Sequence, residues 1–143
     1  AKTLMTHRND LEWIDSTQPL DAIIAQVKAS YHSKFPVCRG NIDDVMGTLS
    51  IRDLLDEMNK PGFKLGDVVR PPIYVPQSAP AFTILGRFKK NKQYAALVID
   101  EHGGIAGLVT MEDLIEELPV QDGHVLKLPV RGKGIVTVSL GWR

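Results

Sequence analysis

Apolar and polar positions alternate in two different periods along this chain, and the switches between them mark out the elements. Trp13-Ile14 reads as a short strand. Leu20, Ile23, Ile24 and Val27 then recur at helical spacing, with Pro19 near the helix start, where a missing N–H costs little. That helix is predicted to stop by Ser30–Ser33. A compact apolar strand follows at Phe35–Cys38, then the turn-rich run Gly40-Asn41-Ile42-Asp43-Asp44, then a returning antiparallel strand at Val45–Leu49. Ser50 opens a short helix as its N-cap, with Asp53 in the first turn and Leu54, Leu55 and Met58 facing inward.

The same plan is written twice. Gly47-Thr48-Leu49-Ser50-Ile51-Arg52-Asp53-Leu54 matches Gly107-Leu108-Val109-Thr110-Met111-Glu112-Asp113-Leu114: Gly, two residues, a hydroxyl residue, two residues, Asp, Leu. Such self-similarity at a fixed spacing is the mark of a repeat. Upstream, Phe35–Cys38 answers Ala95–Val98, and Ile23, Ile24 and Val27 answer Ile84, Leu85 and Phe88 with a one-residue slip. Tyr74-Val75 answers Trp13-Ile14. The second half is therefore predicted as a strand ending at Val75, a helix from Ser78 or Ala79 to about Asn91, strands at Tyr94–Ile99 and Ile105–Val109, and a helix capped by Thr110 and running through Leu118. The fold class is α+β, each half running strand, helix, strand, strand, helix. Residues 1–62 and 63–118 form the two repeats, with Lys60–Gly66 as the linker. Neither half buries much alone, so the two are expected to pack sheet to sheet around one shared core with a pseudo-twofold axis. Residues 119–143 fall outside the repeat; Val125–Leu128 and Ile135–Val138 alternate around Arg131-Gly132-Lys133-Gly134 as a hairpin.

Composition narrows the function. Seventeen Lys and Arg balance seventeen Asp and Glu in 143 residues, which argues against a nucleic-acid-backbone binder, since such affinity leans on cationic excess. A small anionic ligand needs only a few local cations. A hydrophobic share of 43% and a charged share of 24% describe an ordinary globular chain. No run approaches a membrane span, and no signal-peptide pattern opens the chain. These features predict a cytoplasmic protein or the cytosolic part of a membrane-associated one. Cys38 is the only cysteine, so no internal disulfide is available.

The candidate chemistry sits at the duplicated hydroxyl–x–x–Asp junction. Read structurally, Ser50/Asp53 and Thr110/Asp113 are helix caps. Their duplication together with the preceding glycine adds a second reading. A helix start with a hydroxyl seats a phosphate, and an Asp one turn in can accept both hydroxyls of a ribose. The pairs Asp43-Asp44 and Asp100-Glu101 read as hairpin turns, and Glu112-Asp113 with Glu116-Glu117 as a solvated helix face; none has calcium-loop spacing. His7, His32, His102 and His124 show no metal spacing with one another or with Cys38, although His7 and His32, beside Arg8 and Lys34, lie where a phosphate could sit. Cys38 reads as a buried small residue. No catalytic triad order, glycine elbow or P-loop is present, so no enzyme is predicted.

At these residues the chain resembles a tandem cystathionine-β-synthase (CBS) domain pair. More narrowly it resembles the pair of the CorC/haemolysin-C-like family, related to the cyclin-M magnesium transport mediators. The resemblance covers about residues 3–118. Its carriers are Met5-Thr6-His7-Arg8, His32-Ser33-Lys34-Phe35-Pro36-Val37, Arg70-Pro71-Pro72-Ile73-Tyr74-Val75-Pro76 and, above all, Asp100 through Glu117. Two departures stand out: His7 occupies a position where the family usually has Pro, and Leu118-Pro119-Val120 begins a tail unlike the family's acidic continuation into a transporter-associated domain.

The resemblance implies a flat, dimerising pair with two pseudo-symmetric clefts for an adenine nucleotide, ATP or AMP, with or without magnesium. The first cleft would use Thr6, Ser33, Phe35, Pro36, Val37, Thr110 and Asp113. The second would use Ser50, Asp53, Ile73, Tyr94, Ala95 and Leu97. The implied role is regulatory, in magnesium or cobalt efflux or beside a haemolysin-C-like membrane protein, with any transport domain outside this chain. The alternative is a structural dimerisation module with empty clefts, in which the hydroxyl–Asp pairs serve only as caps.

Overall fold

The computed structural model describes residues 5–117, 125–130 and 134–139. The first half contains β2 (Ile14–Asp15), α1 (Leu20–Ala29), β3 (Lys34–Cys38), β4 (Val45–Ser50) and α2 (Ile51–Glu57), after a two-residue strand β1 (Thr6–His7). The second half contains β5 (Tyr74–Pro76), α3 (Ala81–Asn91), β6 (Ala95–Ile99), β7 (Ile105–Thr110) and α4 (Met111–Glu117). A separate antiparallel hairpin, β8 (Val125–Val130) with β9 (Gly134–Ser139), follows where the alternating tail predicts one.

The duplication extends to the register. β2 runs parallel to β3, and β5 parallel to β6; β3–β4 and β6–β7 are antiparallel. Both hairpins carry an irregularity at the same place, between Val37 and Cys38 and between Val98 and Ile99. Both first helices begin directly after a proline in extended geometry, Pro19 and Pro80. Proline biases the residue before it away from the α region. For that reason α3 starts at Ala81 and not at the predicted Ser78 or Ala79.

Each sheet is completed by the segment leading into the other half. β1 pairs with β7, Thr6 opposite Leu108 and His7 opposite Gly107. At the equivalent edge of the first sheet, Arg70 and Thr48 exchange both backbone hydrogen bonds, at 2.9 and 3.0 Å. Met5 accordingly packs into the second half's core, and Val68 into the first's.

The expectation of one shared core is corrected. Ile14, Ile23, Val27, Phe35, Val37, Leu49 and Leu54 form one core between sheet and helices in the first half, and Ile84, Phe88, Ala96, Val98, Val109 and Leu114 belong to another in the second. Each helix pair covers one face of its own sheet. Fully burying a side chain of this size contributes roughly 1.5–3 kcal/mol, enough for each half to hold a core of its own. The opposite sheet faces meet in a smaller cluster of Ala95, Leu97, Ile105 and Leu108, against which Leu11 and Val45 of the first half pack.

A polar clamp reinforces this seam. Arg8 donates from Nη1 and Nη2 to the two carboxylate oxygens of Asp43, at 2.7 and 2.8 Å, and from Nη1 to the Ile105 carbonyl at 3.0 Å. The Ile105 N–H donates to Asp43 Oδ1 at 3.1 Å. The Arg8 bonds, followed by the Ile105 N–H, hold the Asp43 carboxyl down at about 2. A carboxyl lowered on folding stabilises the fold above its unfolded pKa, near 4, and that contribution is lost as the pH falls toward the folded value. Urea midpoints of wild type should therefore fall between pH 4 and pH 2 by more than those of Asp43→Asn. Equal acid dependence in the two proteins would remove the clamp from the account of stability.

Candidate functional site

The two copies of the hydroxyl–x–x–Asp junction occupy equivalent places at the ends of β4 and β7. The residue before each inner strand accepts the first helical N–H: the Ser33 carbonyl from Ile51, and the Tyr94 carbonyl from Met111, both at 2.9 Å. This makes Ser33 and Tyr94 counterparts. By the sheet-edge pairings, Thr6 and Arg70 are counterparts too. The glycines of the repeat are explained by the same pairings. A Cβ on Gly107 would collide with the Thr6 carbonyl oxygen, and one on Gly47 with the Arg70 carbonyl oxygen. They admit a crossing backbone.

The first cleft is an open cavity of about 220 Å³ between the halves. Thr6, Leu11, Glu12 and residues 31–34 line it from the first half, and Leu108, Thr110, Glu112 and Asp113 from the second. Four of the sequence-predicted residues thus meet around one space: Thr6, Ser33, Thr110 and Asp113. The Thr110 N–H and hydroxyl both donate to Asp113 Oδ2, at 3.0 and 2.9 Å, and the Asp113 N–H donates to Thr110 Oγ1 at 3.3 Å. This closed capping arrangement fixes the carboxylate at the cavity wall. Oδ1 carries none of these bonds.

The other three expected residues of this cleft lie elsewhere. Side chains on a strand alternate between faces, and Phe35 and Val37 point into the first half's core, both fully buried. Pro36 is buried on the face it shares with Lys34, and Lys34 itself lines the cavity. Glu12 and Tyr31 were not singled out as ligands from the sequence, because nothing in their spacing marks them; Lys34 entered only as a cation beside His32. His32 lines the cavity; His7 and His102 are exposed, and His124 lies outside the described residues.

The second junction is built differently. Ser50 has N-cap backbone geometry but its side chain caps nothing, which corrects the predicted cap. Asp53 is buried, 6% exposed, and accepts from Arg70 Nε at 3.2 Å. Where the first cleft has the small hydroxyls of Thr6 and Ser33, this one has Arg70 and Tyr94. Burial raises the Tyr94 hydroxyl above its ordinary pKa while nearby Arg70 acts the other way. Ile73 belongs to the second half's core, and Ala95 and Leu97 to the seam cluster.

Cys38 is buried, and desolvation above all pushes its thiol up to about 11, with Asp44, Asp15 and Asp43 adding to the shift. It is protonated at neutral pH and so a poor nucleophile. Among the described residues no group of three or more His, Cys, Asp or Glu is placed to hold a metal. No helix among them is long and apolar enough to cross a membrane.

Two β-α-β-β-α units with exchanged leading segments, and a polar cavity on their seam, define a tandem CBS-domain pair. The chain belongs to the CBS domain family, whose model matches residues 1–60 and 65–120. It is 37% identical over 120 residues to the magnesium and cobalt efflux protein CorC of Vibrio cholerae, a match covering 82% of this chain and 41% of that protein. The chain spans less than half the length of such curated relatives. Among solved structures, a CBS-domain pair with bound AMP from Klebsiella pneumoniae is 32% identical with a TM-score of 0.71, covering 82% of this chain and 95% of that one. The CBS domain of a bacterial CNNM/CorC family Mg2+ transporter, in complex with ATP, is 34% identical with a TM-score of 0.72, covering 81% and 84%.

Proposed function

We propose that this chain is a regulatory, non-enzymatic adenine-nucleotide-binding CBS pair, acting on the cytosolic side of a divalent-cation efflux system of the CorC kind. The observation that carries the reading is the meeting of Thr6, Ser33, Thr110 and Asp113 around one open cavity, in a fold whose solved relatives hold AMP or ATP. Asp113 takes the ribose hydroxyls; Thr110, Ser33 and Lys34 take phosphate. Strand β3, with Phe35, Pro36 and Val37, backs the base through its main chain. Three carboxylates, Glu12, Glu112 and Asp113, share this space with one lysine. That balance disfavours a bare triphosphate and favours ATP accompanied by magnesium, or AMP. Because the ligand touches both halves, it stabilises one arrangement of them and biases an attached or partner transport domain, and a homodimer of the pair, through differential affinity.

The second cleft is proposed to stay empty. Arg70 already satisfies Asp53, and Arg70 and Tyr94 fill the positions that Thr6 and Ser33 leave open in the first. Calorimetric titration with ATP and magnesium should give one nucleotide per chain. A stoichiometry of two would show that the Arg70–Asp53 pair yields to ligand.

The Thr110–Asp113 capping bonds favour a second reading, a structural dimerisation module in which these residues only hold α4. Thermal shift separates the two. A ligand at a hundred times its dissociation constant adds about 2.7 kcal/mol of stability, whereas unchanged melting with AMP, ADP and ATP, with and without magnesium, supports the structural reading.

A further inference from the structure

The two junctions are equivalent in backbone and opposite in charge. The matched pairings put Arg70 where the first cleft has Thr6, and Tyr94 where it has Ser33. Carried along the repeat, they put Arg52 at the position of Glu112, Lys92 at that of Tyr31, Ile73 at that of Glu12 and Ala95 at that of Lys34. In the first cleft Glu12, Glu112 and Asp113 set three carboxylates against Lys34. The second junction reverses the sign, with Arg52, Arg70 and Lys92 around Asp53. Arg52 and Lys92 are exposed, and among the described residues neither enters an ion pair. Arg70 is held through Nε on the buried Asp53 carboxylate at 3.2 Å, and its side chain is 42% exposed. Among the described residues its Nη1 and Nη2 make no hydrogen bond. A guanidinium oriented through one nitrogen presents the other two as a planar fork, a geometry that matches two oxygens of a phosphate.

We propose that the second junction, too crowded by Arg70 and Tyr94 for a nucleotide, is a site for a small phosphate-class oxyanion, gripped by the Arg70 fork and attracted by Arg52 and Lys92. The anion binds without magnesium, because the chain itself supplies the positive charge there. Asp53 acts through Arg70: it orients the fork and does not touch the anion. The site does not depend on a nucleotide in the first cleft, and the same phosphate chemistry could reach it free or at the end of a nucleotide.

The test follows the backbone amide shifts of the whole chain by NMR, with chelator present and ionic strength held constant with chloride, during titration with inorganic phosphate and, separately, with AMP. Phosphate should move the amides of residues 50–53, 70 and 92–94 along a saturating curve and leave those of Thr6 and Thr110 in place. Arg70→Gln should abolish the saturation. That variant also strands the Asp53 carboxylate and risks unfolding, so the double variant Arg52→Glu with Lys92→Gly is the second probe. Both positions are exposed, and Lys92 already holds a positive φ of 55°, which glycine accepts. The double variant should stay folded and weaken phosphate binding about tenfold or more. Phosphate that does not saturate, that moves both clefts alike, or that binds wild type and the double variant equally overturns the proposal and leaves the nucleotide reading standing. AMP that moves the second junction where phosphate does not overturns it as well, and shows a nucleotide site there. AMP confined to the first cleft, beside phosphate at the second, supports both.

Discussion

Asp113→Ala is expected to reduce ATP affinity at least a hundredfold. A carboxylate that accepts both ribose hydroxyls makes two charge-assisted hydrogen bonds, each contributing roughly 1.5–3 kcal/mol. The same substitution removes the acceptor for the Thr110 N–H and hydroxyl, which should cost about 1 kcal/mol of stability, as lost caps typically do. The two effects are separable. Thr110→Ser keeps a hydroxyl and should bind nearly as wild type does, whereas Thr110→Ile removes it and intrudes on the cavity. Asp53→Ala should leave ATP affinity within about twofold, because Asp53 is tied to Arg70 outside the first cleft. Equal losses from Asp53→Ala and Asp113→Ala, measured by titration calorimetry, would contradict the assignment of the site to one cleft.

Gly107→Val is expected to cause the largest loss of stability of any single change discussed. A side chain there would drive into the Thr6 carbonyl and the Met5 side chain, forcing β1 off β7 and withdrawing Met5 from the second core. Overpacking of this kind costs roughly 1–3 kcal/mol or more. Urea denaturation should place Gly107→Val in the upper part of that range or beyond it. The contrasting case is Gly86→Ala. Gly86 lies in α3 with nothing within 4 Å of an added Cβ, and alanine in a helix interior should raise stability by roughly 0.5–1 kcal/mol. Gly107→Val unfolding at the wild-type midpoint would show that the exchange of leading segments contributes nothing.

Much of this fold was legible because local chemistry and tertiary packing agree. The apolar spacing of α1 and α3, the turn residues between the paired strands, and the duplicated Gly–hydroxyl–Asp run all correspond to observed elements. The differences arise where a residue's role depends on a distant partner. Ser50 and Thr110 look alike along the chain, yet only Thr110 caps its helix through its side chain. Asp53 is drawn instead to Arg70, seventeen residues away. β1 is two residues long and carries no alternation of its own; it exists because β7 lacks an edge partner and Gly107 lets one approach. The shared core was expected from the small size of each half. The structure separates it into two because each sheet keeps both of its helices on one face.

The candidate site was legible in part for the same reason. The spacing of Thr110 and Asp113 suggests a nucleoside phosphate, the family resemblance adds Thr6 and Ser33, and the seam gathers all four. Phe35 and Val37 belong to the same apolar strand, but strand alternation sends both inward. Tyr31 leaves no mark in any periodicity. Its place beside the cavity shows only in the folded chain.

The most direct test is a crystal structure of the protein grown with ATP and magnesium. One nucleotide should lie in the seam, its ribose on Asp113, its phosphates toward Thr110 and Lys34, and its base along strand β3, with Arg70 still bonded to Asp53. Nucleotide at the Ser50–Asp53 junction instead, or an empty first cleft at saturating ligand, would contradict the account.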